Sequence, residues 1–310
     1  MTNQKTLLST TYHELDETLG GLRSGSITSF GCYDINRGKS LIYELIIRSA
    51  FIGTNILYLS AEDSQRHFEL ELISTLANLT PYKVISYMNG LEAENDANKN
   101  KQCLTEEEQA AFLEAQTILR DLPVSFQDSL HMSLEDIRAC AKNMRDTIEP
   151  DKDMLIIIDQ AFSSLIDHPC FNFRRLHEGM RKERLYWDTK SSYADYSFGL
   201  RAISQETDAP IVTIEHNTRR SRYHVFPITE DFDFYDIECA IGTFFVDQDC
   251  DVLIALDEIS SDETTEECCM NMHILKNSYG GLGSLSLRLS SSCLEPALIG
   301  RPAPGHMFAD

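Results

Sequence analysis

Lys39 and Ser40 follow Gly38 at the end of the stretch Gly31-Cys32-Tyr33-Asp34-Ile35-Asn36-Arg37-Gly38-Lys39-Ser40. A turn ending in Gly-Lys-Ser has the residue types of a phosphate-binding loop. Backbone N–H groups would close on a polyphosphate, the Lys39 ammonium would reach its terminal phosphates, and the Ser40 hydroxyl would hold Mg²⁺. Asn36, Arg37, Gly38, Lys39 and Ser40 are thus the candidate nucleotide-binding residues, and the helix after them would point its N-terminus at the same anion. The usual spacing wants glycine at 33, where this chain has Tyr33, and Asp34 brings a negative charge toward a phosphate.

Such a loop needs a carboxylate to support the metal, at the end of a neighbouring buried strand. Met154-Leu155-Ile156-Ile157-Ile158-Asp159 offers Asp159; a turn-capping aspartate would read the same way, and the pairing with Gly38-Lys39-Ser40 gives it weight. Hydrolysis would also need a group that activates water near the terminal phosphate. In Tyr58-Leu59-Ser60-Ala61-Glu62-Asp63-Ser64 the candidate is Glu62, with Asp63 as the alternative; an acid-rich helix start capped by Ser64 is the plain reading. His216, closing Ile211-Val212-Thr213-Ile214-Glu215, is the candidate sensor of that phosphate, or else an ordinary strand-end histidine.

The elements that would carry these groups alternate. Strands are expected at Ser26–Phe30, Asn55–Ser60, Val124–Gln127, Met154–Ile158, Ile211–Glu215, Val252–Leu256, Met270–Leu275 and Ser284–Leu289. Helices are expected at Ser40–Phe51, Gln65–Asn78, Thr105–Asp121, Ser133–Asp146 and Ser192–Thr207, two of them opened by capping-box pairs, Thr105 with Glu108 and Ser133 with Asp136. The alternation predicts an α/β fold, a twisted, mostly parallel sheet with helices on both faces. Leu155–Ile158 is apolar without alternation, as in a strand buried on both sides. Asn89–Gln102, Asp167–Thr189, Glu258–Glu267 and the proline-containing tail from Glu295 read as excursions from one domain.

Composition sets the outer limits. The chain has 310 residues, 42% of them hydrophobic, enough for one large domain. No apolar run approaches the roughly 20 residues that span a bilayer, and the first ten residues lack signal-peptide character, so a soluble cytoplasmic protein is expected. Nine scattered cysteines with no Cys-x-x-Cys pair argue against a disulfide framework or a zinc site. Net charge is −22, which argues against a general nucleic-acid-coating role. Local charge differs. Arg219, Arg220, Arg222 and the adjacent Tyr223 form a basic cluster with one aromatic, and 174–190 carries six Lys or Arg against three acids. A ring with basic loops in its pore and an acidic exterior would reconcile the two; solvated acidic surface with ordinary basic loops is the plain alternative.

In order, these pieces resemble a known family. Thr10–Gly25, with its Leu15-Asp16 and Gly20-Gly21-Leu22, resembles the segment leading into the phosphate loop of RecA-like cores. The rest is most similar to the motor domain of DnaB-type replicative helicases. The family's Ser-Leu-Glu-Met-Ser resembles Ser60-Ala61-Glu62-Asp63-Ser64, and its Pro-Leu-x-Ile-x-Asp resembles Pro123-Val124-Ser125-Phe126-Gln127-Asp128. Its Ile-Asp-Tyr-Leu-Gln is similar to Ile158-Asp159-Gln160-Ala161-Phe162, and its Ile-Glu-Gln-Asp-Ala-Asp-Val to Val246-Asp247-Gln248-Asp249-Cys250-Asp251-Val252. Its Lys-x-Arg-x-Gly-x-x-Gly resembles Lys276-Asn277-Ser278-Tyr279-Gly280-Gly281-Leu282-Gly283. The likeness runs from about Thr10 to Leu289.

The resemblance implies a single RecA-like P-loop NTPase domain over 1–310, with a core at about 10–290 and a tail at 291–310. It implies ATP and Mg²⁺ as cofactors, with Lys39 and Ser40 on phosphate and metal, Asp159 supporting the metal and Glu62 activating water. Lys276 would act in trans on a neighbour's ATP, and Gln248 would lie near a DNA-facing or coupling loop. Arg219, Arg220, Arg222 and Tyr223 would contact single-stranded DNA, the tyrosine by stacking on a base. The implied activity is an ATP-dependent DNA helicase in replication, working as a ring or hexamer with other replication proteins. Departures are specific. Ser278 stands where the family carries an arginine finger, and His216 where it carries glutamine. With only Met1–Ser9 ahead of the likeness, the family's N-terminal collar and linker helix are not expected here. Two other readings stay open: a nucleotide-binding regulatory, scaffold or loader protein with weak or no turnover, and a recombinase- or clock-type ATPase of the same superfamily.

Overall fold

Leu155, Ile156, Ile157 and Ile158 are all buried, and successive side chains enter different cores. Leu155 and Ile157 pack into one apolar cluster and Ile156 and Ile158 into another, on opposite faces of the sheet. The computed structural model describes residues 7–32, 35–92, 104–129, 132–161, 182–216, 250–259, 267–290 and 297–298. In chain order its elements are α1 (His13–Leu19), β1 (Ile27–Cys32), α2 (Ile35–Phe51), β2 (Asn55–Ser60), α3 (Gln65–Ala77), α4 (Pro81–Glu92), α5 (Glu106–Asp121) and β3 (Val124–Asp128). They continue with α6 (Leu134–Thr147), β4 (Met154–Asp159), α7 (Lys182–Thr207), β5 (Ile211–His216), β6 (Val252–Ile259), β7 (Glu267–Asn277), β8 (Gly283–Ser290) and β9 (Ala297–Leu298).

One sheet runs β3-β2-β4-β5-β1-β6-β7-β8-β9. The first six strands in that order pair in parallel, and β7, β8 and β9 add antiparallel neighbours at one edge. The expected mostly parallel sheet with helices on both faces is the one observed. Residues of α1 and α2, with Phe68 and Leu72 of α3, fill the cluster on one face, and Ile137 of α6 with Leu200 and Ile203 of α7 help fill the other. A smaller core joins α3, α4 and α5 around Val84, Phe112 and Ala115.

All eight expected strands are present, most of them longer than their sequence signal. β9 is an addition within the proline-containing tail. Both capping boxes form, at Thr105–Glu108 and Ser133–Asp136, and Ser64 caps α3 by accepting the His67 N–H. Helices α1 and α4 are additions to the five expected, and the starts of α7 and α2 differ from expectation. α4 takes in Asn89–Glu92, read above as an excursion: Val84 is buried in the α3–α5 core, and packing of that face overrides a polar sequence. α7 begins at Lys182, upstream of Ser192, because nothing in 182–191 breaks a helix that is already nucleated and packed further along. α2 begins at Ile35 rather than at Ser40, so Asn36–Ser40 is helical. Extending a packed helix is cheap, and no proline stops it.

Candidate active site at the ends of the parallel strands

Register brings the carboxyl ends of the central strands to one edge. Ser60 pairs with Asp159, and Cys32 with His216. In an open parallel sheet this edge is where ligands bind, outside the strand ends and near the point where successive crossovers depart in opposite directions. From β1 the chain goes to β2 on one side; from β5 it passes across β1 to β6 on the other.

Lys39 projects from the start of α2 into that edge. Its ammonium lies 2.9 Å from Asp159 Oδ2, 3.1 Å from Asp63 Oδ1 and 3.2 Å from Glu62 Oε2. Lys39, Glu62 and Asp159, separated widely in sequence, are therefore brought together as expected. Their settings differ: the Glu62 side chain is 51% exposed, whereas those of Lys39, Asp63 and Asp159 are 8%, 5% and 0% exposed. A water-activating group must reach solvent and substrate, which suits Glu62. Asp63 is instead enclosed.

Burial alone would lower the Lys39 pKa, but the charges of Asp159 and Asp63 outweigh it and the net shift is upward. Desolvation pushes the Asp159 carboxyl up to about 6, against the pull of Lys39 and the Ser60 hydroxyl. That hydroxyl donates to Asp159 Oδ2 at 2.8 Å and accepts the Asp63 and Glu62 backbone N–H groups at 2.9 and 3.2 Å. Ser60 thus ties the β2–α3 turn to the end of β4. Asp159 Oδ1 is buried and makes no hydrogen bond. A hard cation takes oxygen ligands of this kind, so the unpartnered Asp159 oxygen has the chemistry of an Mg²⁺ ligand.

Two partners of the site carry no sequence signal. The hydroxyls of Tyr43 (α2) and Tyr58 (β2) both donate to Asp63 Oδ2, at 2.9 and 3.0 Å. Nothing in a lone tyrosine on a helix or a strand marks it as a carboxylate partner; only the packing of α2 on β2 brings them together. Burial, with the nearby carboxylates, raises both phenol pKa values.

Gly38 serves the site by being small. A Cβ there would lie 2.5 Å from Cys32 Sγ and 3.1 Å from Ile214 Cδ1, so glycine lets α2 start directly against β1 and β5. Ser40 follows on the same helix start, half-buried. Asn36 and Arg37 lie on the first turn of α2, where only the backbone is described. His216 occupies the last position of β5, on the edge expected of it, again by its backbone. Tyr33, Asp34, Arg219, Arg220, Arg222, Tyr223 and Gln248 lie outside the described residues.

Lys276 is not brought into this site. It pairs with Leu253 at the start of β6, and Leu253 in turn aligns with Ser29, so it sits toward the opposite end of the sheet. That end has its own clamp. Arg201 of α7 donates to both carboxylate oxygens of Asp251, at 2.9 and 2.8 Å, and Asp251 Oδ2 accepts the Ile27 N–H at 2.9 Å.

Solved structures share this architecture. A DnaB-like replicative helicase, described with its interactions with primase, superposes with a TM-score of 0.67 at 13% identity, over 93% of this chain and 62% of that one. The chain therefore spans less than two thirds of that helicase's length. An ATPase domain superposes with a TM-score of 0.67 at 12% identity, over 92% of this chain and 89% of that one. These likenesses show the RecA-like fold of helicase motor domains. No curated protein sequence matches the chain. Residues 8–295, nearly the whole chain, match the family described as the DnaB-like helicase C terminal domain, and the chain belongs to that family.

Proposed function

We propose that the chain is an ATP-dependent motor acting on single-stranded DNA in replication, built as a single domain with its core at about 10–290. The observation that carries this reading is the convergence of Lys39, Glu62 and Asp159 at the carboxyl ends of β1, β2 and β4. Mg²⁺ bound with ATP would neutralise phosphate charge. Asp159 and Ser40 would hold it, Lys39 would bind the terminal phosphates, and Glu62, the exposed carboxylate, would accept a proton from the attacking water. His216 would meet the same phosphate from the end of β5. Arg219, Arg220, Arg222 and Tyr223 would contact DNA.

Lys276 lies toward the opposite end of its own sheet, away from Lys39, Glu62 and Asp159. That supports a homo-oligomeric ring in which it reaches a neighbour's ATP. The helicase among the structural relatives is described with primase, and replication proteins of that kind are the partners to test. The setting would be the cytoplasm; among the described residues no helix is long and apolar enough to cross a membrane.

ATPase assays with and without single-stranded DNA, and negative-stain images with a non-hydrolysable ATP analogue and DNA, test the reading. DNA-stimulated turnover and rings are expected; neither appearing would end it. A second reading, a nucleotide-binding regulator without turnover, is favoured by Ser278 in the arginine-finger position. Tight ATP binding with negligible hydrolysis would select it.

A further inference from the structure

An ammonium has three N–H donors. That of Lys39 meets three carboxylates, Asp159 at 2.9 Å, Asp63 at 3.1 Å and Glu62 at 3.2 Å. Two of these have roles in the reading above, Asp159 toward the metal and Glu62 toward water. Asp63 has none. It is 5% exposed, its Oδ2 is fixed by the Tyr43 and Tyr58 hydroxyls, and its Oδ1 faces Lys39. The Tyr58 ring is itself held by stacking on Phe68, with centroids 4.5 Å apart. In a buried setting a carboxylate this close attracts an ammonium several times more strongly than it would in water.

We propose that Asp63 is an internal competitor for nucleotide phosphate: it holds the Lys39 ammonium in an ion pair that a nucleoside di- or triphosphate must break in order to bind. The inference rests on the nucleotide-binding reading of the site. The helical start of α2 works in the same direction. With the helix beginning at Ile35, the Lys39 and Ser40 backbone N–H groups fall within its i→i−4 ladder rather than facing a ligand. The Tyr43 and Tyr58 hydroxyls both hold Asp63 Oδ2, whereas the Glu62 side chain is 51% exposed. Affinity is therefore set by an exchange of anions on Lys39.

Calorimetric titration of the full chain with ADP and with AMP-PNP, each with MgCl₂, tests this. Asp63→Asn keeps the shape and removes the charge, and Asp63→Met supplies a second uncharged variant. Both are expected to bind ADP and AMP-PNP about tenfold more tightly than the parent, the scale of one lost charge contact in a partly screened site. Tyr43→Phe with Tyr58→Phe should tighten binding in the same direction by a smaller factor. In steady-state assays KM for ATP should fall while kcat stays within about threefold, because a competing anion acts on binding rather than on chemistry. Unchanged or weaker binding by folded Asp63→Asn and Asp63→Met overturns the proposal and leaves the nucleotide reading intact. So does loss of kcat at unchanged affinity, which would make Asp63 the base. If the parent and both variants bind neither nucleotide, the nucleotide reading falls and the proposal with it.

Discussion

Lys39 at the start of α2 and Asp159 at the end of β4 lie 2.9 Å apart, ammonium to carboxylate, with neither side chain more than 8% exposed. Each neutralises a charge that the other would otherwise leave buried. The pair is therefore structural as well as a part of the candidate chemistry.

Lys39→Met should destabilise the fold by about 3 kcal/mol, because removing one partner of a buried pair leaves Asp159 and Asp63 uncompensated. Urea denaturation followed by circular dichroism measures it. Adding Asp63→Asn to Lys39→Met should recover part of the loss; no recovery would show that Asp63 is not charged against Lys39. A phosphate-loop lysine variant is thus a stability variant too, and its activity has to be read beside its melting curve.

Gly38→Ala should cost about 2 kcal/mol despite the better helix propensity of alanine, worth about 1 kcal/mol. The new Cβ would meet Cys32 Sγ at 2.5 Å and Cys32 Cβ at 3.0 Å, and part of that obstruction is at the strand itself. Cys32→Ala in the same chain removes the sulfur and should restore about half of the loss. Thermal melts of the single and double variants decide it, and a stabilised Gly38→Ala would contradict the close approach of α2 to β1.

Arg201→Met should destabilise by about 2 kcal/mol, since Asp251 would lose the Arg201 Nη1 donor shared by its two oxygens in a half-buried setting. Asp251→Ala should cost more, about 3 kcal/mol, because the Ile27 N–H loses its acceptor as well. Equal losses in chemical denaturation would mean that the backbone contact contributes nothing.

His273 on β7 gives a pH dependence. Burial lowers its pKa from 6.5 to about 4, with Nδ1 against the Ser284 hydroxyl at 2.8 Å and Nε2 buried without a partner. The unfolded chain takes up a proton near pH 6.5 and the folded chain only near 4. Its contribution is therefore present above 6.5 and lost as pH falls from 6.5 toward 4, by about 3 kcal/mol. Asp159, raised to about 6, pulls the other way between 6 and its ordinary value, so the informative comparison is between variant and parent. His273→Asn should flatten the stability difference between pH 7 and pH 4.5; parallel curves would refute the assignment.

The amino-acid sequence by itself marked eight of the nine strands, the caps, and the three residues Lys39, Glu62 and Asp159 that meet at the strand ends. Each of these rests on local pattern. Apolar runs of strand length, Thr105 with Glu108, and Gly-Lys-Ser before an apolar helix are legible because the chemistry and its neighbours are contiguous. Asp159 was legible for a related reason, since a buried parallel strand presents its carboxyl end to the ligand edge. The tertiary structure decided the rest. It extended α2 back over Ile35–Lys39, because helix propagation from a packed segment overrode the loop pattern. It put Glu62 outside and Asp63 inside, a difference that adjacent acids cannot announce in sequence. It also brought Tyr43 and Tyr58 onto Asp63 and sent Lys276 to the far end of the sheet, because side-chain partnership depends on which faces pack and on strand register.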